Sequence, residues 1–372
     1  MIALAAARLF DGVALSRDRV VTIDGERIAA VGPAAAGVLP EALPPDTILA
    51  PGFIDLQVNG GGGVLLNNAI SADAMRDIAQ AHARAGTTSI LPTLISGSGA
   101  DIGAVLRVAA QPMAGVAGVH IEGPFIASAR HGIHPVAAIR PMQDVDYALL
   151  SAPRNFPLMV TLAPDVVPAE RIAALARAGV VVFAGHTDAT WEQARGGLRA
   201  GISGFTHLYN AMSPLASRAP GVVGAALAER DAYAGIIVDG HHVHPAAVRA
   251  AFAAKGARRL FLVSDAMATA ASEADQFVLY GKTIRLRDGR LTDDAGTLAG
   301  AHLTMAEAVR NAVHLAGIPL ADALRMATAT PAACMGMNDR GRVAAGCRAD
   351  LVALDADLRV VAVWQGGTRL QN

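Results

Sequence analysis

From residue 53 onward, short apolar runs alternate with alanine-rich stretches, and the alternation recurs eight times. The apolar runs are FIDLQV (53–58), TSILPT (88–93), GVHIEG (118–123), LMVTLAP (158–164), VVVFAGH (180–186), GFTHLY (204–209), AGIIVDG (234–240) and LFLVSDA (260–266). Each has the length of a strand and is almost continuously hydrophobic, as strands covered on both faces must be. Intervening stretches such as 72–85, 169–178 and 246–254 have helical composition. Parallel strands joined by helices either close into a barrel or spread into an open, doubly wound sheet. Eight units favour the closed (β/α)8 barrel of the TIM type. No GxGxxG follows the first run to mark the dinucleotide site of the open alternative.

The two ends of the chain read differently. Segments 19–23 and 27–31 are short and apolar, and Asp24-Gly25 and Gly32-Pro33 beside them are turn signals. Residues 341–367 have the same character. We therefore expect residues 1–50 and 336–372 to pair into a small β-sandwich beside a catalytic barrel over 51–335. With 53% hydrophobic and 17% charged residues, 372 residues are enough to bury a large core.

Charge and cysteine content exclude several classes. The formal net charge is −1 with no long run of either sign, which argues against nucleic acid or an anionic membrane as partner. Cys334 and Cys347 cannot build a disulfide framework, and no CxxC occurs, so a reduced, cytoplasmic setting is expected. The apolar N-terminus lacks a basic leader region and reads as a strand. No stretch reaches the ~18 apolar residues that a bilayer span needs, and a soluble protein is expected.

Polar groups stand at strand end after strand end: Gln57 and Asn59, Glu122, His186, His207, Asp239 with His241 and His242, and Asp265. In a parallel barrel these ends converge on one mouth. A lone histidine after a strand is usually a satisfied core or rim residue. A series of ionisable groups, each closing an apolar run, is costly to bury without a shared purpose. Glu122, His186 and His207 form the carboxylate-plus-two-imidazole set of a catalytic zinc site with one open position. Iron, cobalt and manganese are the alternatives, so one divalent metal is expected with zinc first. Asp265 is placed to exchange protons with a reacting water, unless it caps a following helix.

These motifs closely resemble the N-acetylglucosamine-6-phosphate deacetylases, a branch of the amidohydrolase superfamily. The resemblance is carried by APGFIDLQVNGGGG (50–63), HIEGPF (120–125), AGHTDA (184–189), THLYNAM (206–212), VDGHHV (238–243), VSDAMA (263–268) and GTLAGAHLTM (296–305). It continues through ATATPAACMG (327–336) to GRVAAGCRADLVALD (341–355). It implies metal ligands at Glu122, His186 and His207 and a catalytic aspartate at Asp265. It implies that His134, beside Ile133, contacts the substrate and polarises the acetyl carbonyl. Sugar-phosphate contacts are implied at Asn210, Ala211, Arg218, Asp239 and His242, and an amino-sugar pocket at Leu298, Ala299 and Gly300. It implies a homodimer in which Arg218 and His242 can grip the phosphate across the interface. The implied substrate is an amino sugar phosphate, gluco or galacto.

Many superfamily members carry H-x-H where this chain has Gln57-Val58-Asn59. Neutral amides are poor ligands for a transition metal, so a single-metal site is expected, with any second site near Gln57 and Asn59 empty or weak. No P-loop is present, so a phosphate must be held by side chains and loop amides. Arg218 offers a fork and Asn210-Ala211 offers N–H groups; the alternative for Arg218 is a solvated loop arginine. His241 and His244 are expected to face solvent, and the glycine run 60–63 to be a flexible loop.

Overall fold

The structure, a computed structural model, describes residues 1–33 and 39–371. Eight parallel strands form its central sheet: β1 (Phe53–Val58), β2 (Thr87–Ile95), β3 (Val119–Glu122), β4 (Leu158–Leu162), β5 (Val181–Ala184), β6 (Ile202–Phe205), β7 (Tyr233–Ile236) and β8 (Leu260–Leu262). Neighbours follow sequence order around the sheet. Just past β8, Asp265 N–H donates to Gln57 O at 3.0 Å and Ala266 bridges to Val58, which brings the last strand back to the first. The barrel is thereby nearly closed. Every residue of β1 to β4 is buried, which accounts for their unbroken apolar character.

Buried Asp55 helps at this seam. Its carboxylate accepts Gln57 N–H at 3.1 Å and Ser264 N–H at 3.2 and 3.3 Å. Burial pushes its carboxyl up to about 7, against the lowering effect of those hydrogen bonds. The helices between strands start where side chains satisfy their free N–H groups. Ser71 caps Ala72–Arg84, and Thr190 with Gln193 forms a capping box on Trp191–Ala200.

The termini build a second, mostly antiparallel sheet of eight strands. Ile48–Pro51 is its hinge, pairing with Ile2–Phe10 on one side and Leu351–Leu354 on the other. The far strand Arg27–Gly32 meets the 346–348 segment, with Ile28 N–H donating to Cys347 O and Gly346 N–H to Ile28 O. The sheet therefore curls around its own core of Leu4, Val21, Ile23, Ile28, Leu49 and Trp364.

Three features depart from the sequence reading. A four-stranded antiparallel insert, Gln276–Leu279, Lys282–Arg287, Arg290–Thr292 and Leu298–Ala301, follows β8 and lies outside the eight-unit pattern. Its turns at Tyr280-Gly281 (φ 50° and 76°) and Asp288-Gly289 (φ 50° and 75°) put both central residues in the left-handed region, as tight hairpins require. The strand expected over 204–209 ends at Phe205, because left-handed backbone at His207, Tyr209 and Ala211 breaks it. The glycine run is not a flexible loop: Gly60–Gly61 pairs with Val64–Leu65, and both glycines are buried. A Cβ at Gly60 would lie 2.3 Å from Val64 O, and one at Gly61 would lie 2.5 Å from His82 Nε2. Close approach, not mobility, requires glycine there.

Candidate active site

Glu122 is the last residue of β3, while His186, His207 and Asp265 stand just beyond β5, β6 and β8. His186 (φ 47°), His207 (φ 30°) and Asp265 (φ 51°) all occupy left-handed backbone that side-chain-bearing residues avoid. Such strain persists only where surrounding structure enforces it, and it clusters at functional sites.

The first three converge. His207 Nε2 lies 3.0 Å from His186 Nε2 and 3.1 Å from Glu122 Oε1, and His186 Nε2 lies 3.3 Å from the same oxygen. His186 Nδ1–H donates to Arg130 O at 2.8 Å, which leaves its Nε2 with a free lone pair. Two imidazole nitrogens and a carboxylate oxygen this close repel one another unless a proton or cation lies between them. The donor set therefore suits a divalent metal held by three protein ligands. Burial opposes ionisation of Glu122, and the two histidines outweigh it, holding the carboxyl well below its usual range.

The amides at the end of β1 face the carboxylates. Gln57 Nε2–H donates to Glu122 Oε1 at 3.0 Å and to Asp265 Oδ1 at 3.1 Å, and Asn59 Nδ2–H donates to Asp265 Oδ1 at 2.7 Å. A neutral amide thus bridges the two carboxylates that a second cation would otherwise join. Asp265 Oδ2 has no hydrogen-bond partner among the described residues. Burial and the Glu122 charge push the Asp265 carboxyl up to about 6, against the lowering effects of His207, His242 and the Asn59 hydrogen bond. No helix follows Asp265 directly, so the helix-cap alternative does not apply.

His134 is buried, with Nδ1 2.6 Å from Ser96 Oγ and its ring centroid 4.2 Å from that of His186. Burial, with His186 beside it, pushes its pKa well down, so the ring is neutral. His242 Nδ1 pairs with Asp239 Oδ2 at 2.6 Å, and Asp239 Oδ1 accepts the backbone N–H groups of His241 and His242. Burial raises the Asp239 carboxyl, but these contacts prevail and hold it at about 2.

One cavity of about 350 Å³ gathers these groups. Glu122, His186, His207, Asp265, His134 and His242 line it, together with Ile133, Asn210, Ala211, Leu298 and Gly300. Three expected residues do not. Ala299 is fully buried beside it, Asp239 reaches it only through His242, and Arg218 is exposed on the loop before Pro220. His241, against Gly289, and His244 are both exposed, as expected, and His244 Nδ1 also accepts Ala246 N–H as the cap of Pro245–Lys255. Arg130, Ser96 and Thr297 are site residues that the sequence reading misses. Ser96 follows β2 and obeys the strand-end rule, but Arg130 ends the three-residue 3-10 helix Ser128–Arg130 and Thr297 lies on a loop, neither with any periodicity.

The sequence profile of the Amidohydrolase family matches residues 48–370. The chain belongs to the amidohydrolase family. This amidohydrolase is 42% identical over 331 residues to the N-acetylgalactosamine-6-phosphate deacetylase of Shewanella sp. (strain ANA-3), covering 87% of this chain and 83% of that one. It is 36% identical to the N-acetylglucosamine-6-phosphate deacetylase of Haemophilus influenzae, with 96% of each chain covered. The crystal structure of N-acetylglucosamine-6-phosphate deacetylase from Pasteurella multocida superposes with a TM-score of 0.96 at 35% identity, covering 100% of both chains. This amidohydrolase is a hydrolase of a metal-dependent family, with a Glu-His-His group that can hold the ion. Among the described residues, no helix is long and apolar enough to cross a membrane.

Proposed function

We propose that this amidohydrolase removes the N-acetyl group of N-acetylglucosamine 6-phosphate, giving glucosamine 6-phosphate and acetate. The observation that carries the reading is the pairing, in one cavity, of the Glu122/His186/His207 donor set with Asp265, a half-buried carboxylate whose Oδ2 has no hydrogen-bond partner among the described residues. A non-catalytic scaffold on this fold would have no reason to keep that arrangement intact. The galacto epimer is a second reading, favoured by the 42% relative named for N-acetylgalactosamine 6-phosphate. Comparing kcat/KM on the two epimers decides between them.

Glu122, His186 and His207 would hold the divalent metal, zinc first. Such an ion supplies Lewis acidity to the acetyl carbonyl and acidifies water. The remaining chemistry belongs to the chain. Asp265 takes a proton from the attacking water at Oδ2 while Asn59 and Gln57 hold Oδ1 still. It then delivers that proton to the leaving nitrogen. Ser96 Oγ–H donating to His134 Nδ1 leaves Nε2–H as a donor to the acetyl oxygen as negative charge develops there. Ile133, Leu298 and Gly300 line the sugar's side of the cavity, with Ala299 behind them; Asn210, Ala211 and His242 face the phosphate, and Asp239 fixes the His242 ring.

Base catalysis by Asp265 sets the sign of the pH response. Its carboxyl must be ionised to accept a proton, so activity falls as pH drops through its pKa. Burial raises that value to about 6 and a bound dication acts in the opposite direction. An acidic limb of unit slope in log kcat is expected, with its midpoint between the ordinary carboxylate range and about 6. A kcat with no acidic limb down to about pH 3, measured while the protein is still folded and metal-bound, would remove Asp265 as the base.

A role for Arg218 in phosphate binding requires its exposed loop to enter another subunit's cavity, so a homodimer is part of this reading. Sedimentation showing a fully active monomer would exclude it. The barrel over 51–335 would carry the chemistry, with 1–50 and 336–372 as its supporting domain.

A further inference from the structure

We propose that Arg130 is a specificity-determining residue that grips the substrate phosphate from within the same chain, held in readiness by Asp188. The inference rests on the phosphorylated-substrate reading above. Electrostatics supplies the need: Glu122 and Asp265 together would offset the charge of a bound dication, so a phosphate dianion in this cavity requires positive charge elsewhere on its wall. Among the cavity-lining residues Arg130 is the only permanent cation, and Arg218 is not among them.

Its position matches the need. Asp188, its partner, follows Thr187, whose N–H donates to Ala211 O at 3.1 Å and which bridges to Met212. Asp188 thus lies one residue from the backbone pairing that holds Ala211, and Arg130 lines the same cavity as Asn210 and Ala211. Ala211 is left-handed (φ 48°), and its N–H has no acceptor among the described residues. A fork, an unused backbone N–H and the His242 ring together make an anion cradle.

The guanidinium is preset. Nε and Nη2 both lie 2.8 Å from Asp188 Oδ1, and Nη1 has no partner among the described residues. The side chain is 34% exposed, so it is oriented but reachable. An arginine already held in place loses less freedom when it binds a ligand. The alternative is a surface ion pair, worth little to stability and nothing to substrate choice. The two ideas separate experimentally, because the Arg130 carbonyl that anchors His186 is backbone and survives any side-chain replacement.

The test is steady-state kinetics on N-acetylglucosamine 6-phosphate and unphosphorylated N-acetylglucosamine, with inorganic phosphate as a competing ligand. Arg130→Ala is expected to raise KM for the phosphorylated sugar and Ki for inorganic phosphate by ~10- to 100-fold, as loss of a charge-assisted contact does. The KM for the unphosphorylated sugar, and the bound metal, should stay near wild type. Arg130→Lys should recover part of the loss, and Asp188→Asn should show a smaller loss of the same kind. Equal changes for both sugars, or no change for either, would overturn the assignment. A wild-type enzyme indifferent to phosphate would instead overturn the phosphorylated-substrate reading, and this inference with it.

Discussion

Replacing Asp265 with Asn is expected to lower kcat by ~10²- to 10⁴-fold, the span that a general base contributes, with KM little changed. The substitution is nearly isosteric. The Asn oxygen can still accept from Asn59 and Gln57 as Oδ1 does now, so the side chain should keep its orientation. What changes is the atom at Oδ2, where an NH₂ group cannot take a proton from water. Because Asp265 is not among the three clustered donors, bound metal measured on the purified variant should match wild type. A variant that retains wild-type turnover would end the role assigned to Asp265.

Replacing His207 with Ala should give the contrasting signature. Its Nε2 sits 3.0 Å from the His186 nitrogen and 3.1 Å from the Glu122 oxygen, at the centre of the group. Without it two donors remain, fewer than the three that catalytic sites use. Loss of a supporting contact alone costs ~10- to 100-fold in metal affinity, so loss of a direct ligand should exceed ~100-fold. Elemental analysis should find the variant largely metal-free, and activity should fall with occupancy. Saturating metal should restore little, because the remaining geometry is wrong. Full metal content in this variant would contradict the ligand assignment.

Much of the barrel and its metal site is legible in the chain itself. Eight apolar runs become eight parallel strands because a strand covered on both faces cannot hide its composition. Glu122, His186, His207 and Asp265 are readable because ionisable residues that end such runs stand out. The four-stranded insert is less visible: its strands are short and alternate apolar with charged residues, as in TIRLR (283–287), instead of running continuously apolar, although Asp288-Gly289 is a hairpin signal. The buried glycines at 60 and 61 cannot be told from a mobile loop by sequence, since what they avoid is His82 and Val64, residues placed by tertiary packing. Arg130 is invisible for a related reason. A loop arginine acquires meaning only when its neighbours, Asp188 and Ala211, are brought beside it.

The most direct measurement is acetate release by the metal-loaded enzyme from N-acetylglucosamine 6-phosphate, run beside Asp265→Asn and the unphosphorylated sugar. Stoichiometric acetate and glucosamine 6-phosphate are expected from wild type, with far slower release from the variant and from the sugar lacking phosphate. No acetate from either the gluco or the galacto phosphate, with the metal bound, would contradict the proposed reaction.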